Sequence, residues 1–215
     1  MSLTLHYHPL ASYCWKVLIA LYENDTPFES HVVDLMDEAE AKAFRQYSPM
    51  GKMPALQDGA HGRTIVETSV IIEYLDRHYP GPTRFLPEDP EEALRVRFAE
   101  RFFDFYVQDL MSKIVTDKIR PEGRNDHFGV EKARGELATA YDAIEARLPH
   151  GMWPKNEALT LADCAAAPAL FYADKVQPFA DTHPRLSAYF DRLNRWPAFR
   201  RVLEEAEPYF KLFPG

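Results

Sequence analysis

The first third of the chain alternates between short hydrophobic runs with a two-residue period and longer runs with a helical period. The shorter period is typical of strands and the longer one of amphipathic helices. The pattern predicts strands at 3–7, 28–33, 55–57 and 63–66, and helices at 13–22, 37–46 and 68–77. Asp58, Gly59 and Gly62 separate the last two strands, which indicates a hairpin. The resulting order, βαβαββα, predicts an α/β domain with a βαβ unit at its start.

The strand-like pattern stops at a stretch rich in proline. Residues 80–90 contain four prolines and Gly81, a composition typical of a linker or a sharp turn. Helical periods then cover 91–119, 130–148, 160–175 and 184–206, with a break at Trp196-Pro197. We therefore predict an α/β domain at 1–79, a linker at 80–90 and an all-helical domain at 91–215.

Composition and charge narrow the classes of function. The chain is 46% apolar and carries a net charge of −8, so it can bury a core and is a poor partner for nucleic acid. It begins with neither a basic leader nor a long apolar stretch, so we expect a cytoplasmic protein that does not span a membrane. The two cysteines, Cys14 and Cys164, form no CxxC pair, and we expect any thiol chemistry to use an external thiol. The eight histidines lack metal-binding spacing, and we predict no metal.

The loop after the first strand brings hydroxyl groups to the start of a helix. Lowering a thiol pKa of 8.5 by about two units requires roughly 2.7 kcal/mol. One hydrogen bond to the thiolate contributes about 1.5–3 kcal/mol, and a helix amino terminus adds about 0.3–1 kcal/mol. Ser12 is the first candidate donor, although a serine there is also a common helix N-cap. Tyr7 is the second, and Cys14 lies on an apolar helical stripe that predicts burial in the core.

Two further segments carry candidate ligand-binding groups. Pro54 begins a predicted strand, and a cis bond there would leave the backbone of Met53 free to pair with an extended ligand. Lys52 beside it suits a carboxylate, although it also suits the solvent-exposed surface. Glu67 and Thr68 precede the next helix, where a carboxylate binds an ammonium group and the helix start binds an anion. Thr68 also has the ordinary alternative of a helix cap.

Taken together and in this order, these segments resemble the cytosolic glutathione transferase family over essentially the whole chain. The motifs that carry the resemblance are Trp15-Lys16-Val17, residues 52–56, residues 67–69 and residues 159–163. The resemblance implies a thioredoxin-like first domain and an all-α second domain. It implies that Pro54 is cis, that the Met53 backbone pairs with the cysteinyl part of glutathione, and that Glu67 and Thr68 hold the γ-glutamyl head. Lys52 resembles a residue near the glycyl end.

The same resemblance implies an enzyme that activates glutathione, its co-substrate, as a thiolate for attack on a small apolar electrophile. It also implies a homodimer. The sequence looks most like serine-type and zeta-like bacterial members, although those often have their serine one position earlier, where this chain has Ala11. Tyrosine-type members carry a phenol near the position of Tyr7. We expect the electrophile pocket between the domains, with four candidate aromatic residues: Tyr13, Phe102, Tyr106 and Phe210.

Functions of other classes remain alternatives to a transferase. One is a glutathione-dependent isomerase or a cysteine-based thiol reductase, and the other is a non-catalytic binding module with the same fold. The combination of Ser12, Glu67 and Lys52 favours an enzyme over the binding module. The position of Cys14 on the core stripe disfavours the reductase.

Overall fold

The computed structural model describes residues 3–148 and 159–214 of the 215-residue chain. Its contacts divide the chain into two compact units. The first runs as far as Leu86 and also includes Pro197–Phe210, and the second comprises Pro87–Trp196 and the residues from Lys211 onward. Residues 197–210 are predicted in the helical domain but belong to the first unit. Helical periodicity indicates that a helix forms there but not which sheet or helix it packs against.

The first unit has the predicted order of elements. The strands are β1 (Leu3–Tyr7), β2 (Glu29–Val32), β3 (Ala55–Asp58) and β4 (Arg63–Val66), and the helices are α1 (Ser12–Glu23), α2 (Glu38–Phe44) and α3 (Thr68–His78). The sheet order is β2-β1-β3-β4, in which β2 is parallel to β1 and the other neighbours are antiparallel. The predicted thioredoxin-like α/β fold is confirmed.

Burial along the first unit follows the hydrophobic pattern. Leu5, Leu56 and Ile72 are fully buried, whereas every residue of the edge strand β2 is exposed. Helix α2 is capped by Asp37, whose carboxylate accepts hydrogen bonds from the amides of Ala39 and Glu40, both at 2.9 Å. This capping gives a seven-residue helix a defined start.

A buried carboxylate joins the β3–β4 hairpin to α3. Asp58 accepts hydrogen bonds at 2.6 Å from the hydroxyls of Tyr74 and Tyr79 and at 2.7 Å from the His61 ring. Burial raises the pKa of Asp58, but these donors outweigh it and hold the pKa well below the usual range. Burial and the bond to Asp58 raise the pKa of Tyr74 to about 12, so both partners keep their ordinary charge at neutral pH.

The second unit is helical, as predicted. It contains α4 (Pro90–Phe103), a π-helical turn (Asp104–Gln108), α5 (Asp109–Asp117), α6 (His127–Arg147), α7 (Leu161–Val176) and α8 (Pro184–Asn194). Helix α9 (Pro197–Ala206) and a 3₁₀ turn (Glu207–Leu212) follow, of which α9 belongs to the first unit. Among the helices the structure describes, none combines the length and apolar character required to cross a membrane.

The start of α7, within the motif at 159–163, contains a capping box. Asp163 Oδ2 accepts hydrogen bonds from the backbone amide of Thr160 at 2.9 Å and from its hydroxyl at 2.7 Å. Tyr189 donates to Asp163 Oδ1 at 2.8 Å. Since the carboxylate is buried and occupied by these donors, it serves the fold rather than chemistry.

Candidate functional site

Three candidate segments meet at one end of the sheet, which is called the sheet edge below. They are the loop after β1, the segment before β3 and the segment after β4. His6 of β1 is opposite Ala55 of β3, and Ala55 is opposite Val66 of β4. The chain therefore leaves β1 just after this row, enters β3 just before it and leaves β4 just after it. Tyr7, Pro54 and Glu67 are the residues immediately beyond the row on the same side.

The loop between β1 and α1 presents Ser12 at the start of the helix. Ala11 is the N-cap residue in extended backbone, and Ser12 is the first helical residue. The interpretation of Ser12 as an N-cap is therefore wrong, because the cap position is one residue earlier. The Ser12 side chain is mostly buried, and its hydroxyl makes no hydrogen bond to any described residue. This hydroxyl is available to a ligand at the helix start.

Trp15 fixes the shape of this loop. Its indole Nε1 donates a 2.6 Å hydrogen bond to the carbonyl oxygen of Pro9, and the ring is fully buried. The indole packs against Phe199 of α9 and Phe210 of the 3₁₀ turn, with ring centroids 6.1 and 6.3 Å apart. In the sequence Trp15 is recognised only as part of a motif, and the one signal for this role is an indole six residues after a proline.

Tyr7, the second candidate activator, already has polar neighbours. It is almost fully buried, and this burial raises the pKa of its phenol. The nearby Glu205 carboxylate raises the pKa further, by a smaller amount. A hydrogen bond with the Ser30 side chain acts in the opposite direction on this pKa. Glu205 itself accepts a 2.5 Å hydrogen bond from Tyr22 and a 2.9 Å bond from Arg201. The phenol is therefore part of a polar cluster between β1 and α9.

Cys14 lies in the core of the first unit, as its helical stripe predicts. Its side chain is fully buried, and burial raises the pKa of the thiol to about 12. At neutral pH the group is therefore a neutral thiol with no access to solvent. A thiolate nucleophile requires a lowered pKa and exposure, and Cys14 has neither.

The segment before β3 has the conformation that the family resemblance implies. The Met53–Pro54 peptide bond is cis. The preceding turn is held by a 2.7 Å hydrogen bond from the Ser48 hydroxyl to the Lys52 carbonyl. The backbone N–H and C=O of Met53 make no hydrogen bond to any residue in the described ranges. Lys52 is exposed and also has no partner there.

Glu67 is the N-cap of α3 in a left-handed backbone conformation, with φ of 70°. Few residues other than glycine adopt this conformation, which costs free energy and often marks a functional position. The Glu67 carboxylate is exposed, and Thr68, the first residue of α3, is buried. Neither side chain has a partner in the described part of the chain. The interpretation of Thr68 as a cap is wrong, because Glu67 takes that position.

The four aromatic candidates belong to different units. Phe102 and Tyr106 line one cleft of about 480 Å³ in the second unit, with Phe105, Leu110 and side chains of α6. Tyr13 and Phe210 lie in the first unit. The Lys16 ammonium lies 5.8 Å from the centroid of the Tyr13 ring, and Phe210 contacts Trp15.

No group of three or more histidine, cysteine, aspartate or glutamate side chains within 3–148 and 159–214 is arranged to hold a metal ion. The arrangement at the sheet edge instead provides hydroxyl, backbone and carboxylate groups. These groups suit a peptide-like ligand that carries charges of both signs.

Comparison with known families agrees with this geometry. The model of the glutathione S-transferase N-terminal domain matches residues 5–83, and that of the glutathione S-transferase C-terminal domain matches residues 104–197. The chain belongs to the glutathione S-transferase family. The two matched ranges include every candidate site residue of this transferase except Phe102 and Phe210.

Several relatives of this transferase match over nearly their whole length. It is 28% identical to the maleylpyruvate isomerase of Ralstonia sp., over 90% of this chain and 92% of the relative. It is 26% identical to the maleylacetoacetate isomerase of Pseudomonas aeruginosa, over 97% and 98%. Among solved structures, a glutathione S-transferase from Methylobacillus flagellatus with glutathione bound superposes with a TM-score of 0.82 at 25% identity, over 93% of this chain and 98% of that one.

Proposed function

We propose that this chain is a glutathione transferase that binds glutathione at the sheet edge and directs its thiolate to a small apolar electrophile. The observation that carries the proposal is the register row His6–Ala55–Val66, which gathers the three segments at one edge. Each segment offers a group with no hydrogen-bond partner among the described residues: the Ser12 hydroxyl, the Met53 backbone and the Thr68 hydroxyl. The glutathione bound to the Methylobacillus flagellatus relative supports the same ligand class.

The charges at this edge match the charges of glutathione. The γ-glutamyl head carries an ammonium and a carboxylate, and Glu67 supplies the negative charge for the ammonium. The Thr68 hydroxyl and the first amides of α3 supply donors for the carboxylate. The Met53 backbone pairs with the cysteinyl part, as a strand pairs with its neighbour. The exposed Lys52 ammonium meets the glycyl carboxylate.

Ser12 is the thiolate-activating donor in this proposal. Its hydroxyl is at the first helical residue of α1, where the helix dipole adds to the stabilisation of a negative charge. Tyr7 is the weaker candidate, because its phenol has Ser30 and Glu205 as neighbours and a raised pKa. Cys14 is excluded from the role by its burial and its pKa of about 12. The thiol reductase alternative, which requires a reactive cysteine, is disfavoured for the same reason.

We assign the electrophile to the cleft of the second unit that Phe102 and Tyr106 line. Tyr13 and Phe210, which lie in the first unit, stay predicted pocket residues. The cleft lined by Phe102 and Tyr106 has a volume of about 480 Å³, within the range of about 300–1,000 Å³ that is usual for small-molecule sites. Its lining is mainly aromatic and aliphatic, with Lys113 and Glu136 among the polar members. An apolar molecule with one polar group suits this composition.

The assembly we propose is a homodimer that works in the cytoplasm and removes reactive electrophiles. Helix α4 carries an exposed apolar row, formed by Leu94 and Phe98, of which Leu94 is 61% exposed. Such a row is unusual on a monomer and typical of a protein interface. Two-fold symmetric dimers are the commonest assemblies of identical chains.

A glutathione-dependent isomerase is the second candidate, because both curated relatives described above carry isomerase names and cover at least 90% of this chain. In that reaction the thiolate would add to a maleyl double bond, the resulting single bond would rotate, and elimination would return the thiolate. Glutathione is then needed but not consumed. The same thiolate site serves both reactions, and the electrophile decides between them.

A thiol-consumption screen with halogenated aromatics, epoxides, enones and maleyl compounds tests the proposal. We expect one thiol to disappear for each molecule of at least one electrophile converted. Conversion of a maleyl compound without loss of thiol would establish the isomerase instead. Calorimetric binding of glutathione with no turnover of any compound would establish the non-catalytic binding module. The variant Glu131→Ala, at an exposed position near the start of α6, serves as the control for handling and folding.

A further inference from the structure

The face of the sheet that packs against α2 carries a second cavity. It has a volume of about 360 Å³ and is lined by His6, His31, Gln57, Glu40 and Tyr47, among others. Side chains alternate between the two faces of a strand, so His6 points away from the face occupied by Leu5 and Tyr7. The cavity is therefore on the opposite face of β1 from the Tyr7 phenol.

Two imidazole rings lie side by side in this cavity. His6 of β1 and His31 of β2 are register partners on parallel strands, and their ring centroids are 4.8 Å apart. The Tyr47 ring stacks on the His6 ring, with centroids 4.4 Å apart. His6 is buried and His31 is exposed, so one ring is held by packing while the other can adjust to a ligand.

A hydrogen bond fixes which nitrogen of His6 is free. Nε2 of His6 lies 2.7 Å from Gln57 Oε1, and because a carbonyl oxygen only accepts, Nε2 carries the proton. The lone pair of His6 is then on Nδ1. A metal-binding histidine typically donates its other ring N–H to an oxygen acceptor, which orients the ring and makes it a better ligand. Gln57 performs this role for His6.

The free nitrogens have no other use in the described part of the chain. Neither His6 Nδ1 nor the His31 ring has a hydrogen-bond partner there. Among the described residues, the buried side-chain atoms that lack a partner are Gln108 Oε1 and Gln177 Oε1, and His6 Nδ1 is not one of these enclosed atoms.

We propose that His6 and His31 form a two-imidazole site for a divalent transition-metal ion, with water completing its coordination. Neutral imidazole suits copper, nickel and zinc, and affinity for such nitrogen ligands peaks at Cu²⁺ in the first-row series. The Glu40 carboxylate lines the same cavity and adds negative charge, and a 2.8 Å hydrogen bond from the Asp34 amide holds it in place. Two protein ligands leave open positions, so the ion exchanges and a small ligand can join it.

Titration of metal-free full-length protein with Cu²⁺, in the absence of glutathione, tests the site. Calorimetry gives the affinity, and electron paramagnetic resonance counts the nitrogen ligands. We expect one ion with two imidazole nitrogens in the wild type. His31→Ala, at an exposed position, should weaken binding by about tenfold or more and leave at most one imidazole nitrogen in the spectrum. His127→Ala, which removes an exposed histidine of α6, should change nothing.

Gln57→Leu provides a second measurement that does not alter a ligand. It removes the acceptor that holds His6 with its lone pair on Nδ1, and we expect it to weaken Cu²⁺ binding by about tenfold. Equal affinities and equal spectra for the wild type and His31→Ala would overturn the proposal. A wild-type spectrum with a single imidazole nitrogen would also overturn it. None of these readouts depends on transferase activity, so the outcome is separate from that of the proposed function.

Discussion

Tyr79, the residue after α3, donates a 2.6 Å hydrogen bond to Asp58, the last residue of β3. The bond ties the far end of the helix to the hairpin whose other end presents Glu67. Because Asp58 is buried and charged, its donors are required to keep that charge favourable.

Asp58→Asn should lower the free energy of unfolding by about 1–3 kcal/mol near neutral pH, the range for losing hydrogen bonds to a charged group. The folded-state pKa of Asp58 lies below its unfolded value. Its contribution is therefore complete above an unfolded pKa of about 3.9 and is lost as the pH falls toward the folded value. Urea unfolding measures the free energy of unfolding from neutral to acid pH. In the variant this free energy should fall less steeply on the acid side than in the wild type. Asp191→Asn, at an exposed position of α8 without a described partner, should match the wild type.

Ser12→Ala should raise the pKa of the bound glutathione thiol by about one to two units, because each unit corresponds to about 1.36 kcal/mol. Turnover near neutral pH should fall at least about tenfold with little change in glutathione affinity, since the hydroxyl contacts only the sulfur. The thiolate absorbance as a function of pH measures the first effect. Tyr7→Phe removes the other candidate hydroxyl, and we expect it to leave the pKa of the bound thiol unchanged. If Tyr7→Phe raises the thiol pKa and lowers turnover while Ser12→Ala does not, Tyr7 is the activating residue.

Glu67→Ala should weaken glutathione binding by about 1–3 kcal/mol, the cost of losing a charge-assisted hydrogen bond. The exposed carboxylate has no described partner in the free protein, so the fold should be unaffected. Calorimetry compares this variant with Glu131→Ala, which should bind as the wild type does. An unchanged affinity in a folded Glu67→Ala protein would remove this residue from the ligand site.

Trp15→Phe should lower turnover by about tenfold through displacement of the loop that carries Ser12. The phenyl ring keeps most of the packing against Phe199 and Phe210 but cannot donate to the Pro9 carbonyl. A positioning role predicts that kcat falls and the thiol pKa rises while KM for glutathione changes little. Trp196→Phe, the same change in the second unit, is the control. Loss of stability alone, with kcat retained, would contradict the positioning role.

Phe98→Glu should convert the proposed dimer to a monomer at micromolar concentration, because a charge is placed within the exposed apolar row of α4. Light scattering gives the mass of each species. Phe128→Glu, which changes an exposed aromatic residue at the start of α6, should keep the mass of the wild type. A wild-type mass equal to one chain would contradict the homodimer.

The fold could be predicted from the sequence because local periodicity and turn residues determine most of its elements. Residues 63–66 match β4 without any shift, and the break at Trp196-Pro197 separates α8 from α9. The candidate ligand-binding positions came from short motifs, of which the cis bond before Pro54 is observed. The structural predictions that failed concern helix caps, since Ala11 and Glu67 rather than Ser12 and Thr68 hold the cap positions. A one-residue shift of a helix start leaves almost no trace in periodicity.

Long-range contacts were not visible in the sequence for a different reason. The Asp58 cluster, the bond from Trp15 to Pro9 and the pairing of His6 with His31 each join groups whose proximity depends on tertiary packing or strand order. The π-helical turn at Asp104–Gln108 likewise interrupts a single predicted helix. Neither composition nor periodicity reports such distances.

The first unit is discontinuous along the chain, since α9 packs against α1 although it is made from residues 197–206. During synthesis, the sheet and its first helices leave the ribosome well before α9 does. The apolar surface of Trp15 that meets Phe199 therefore stays uncovered until Phe199 has been synthesised. A ribosome stalled before residue 197 would hold an incomplete first unit, which makes this nascent chain a natural client for chaperones that bind exposed apolar segments.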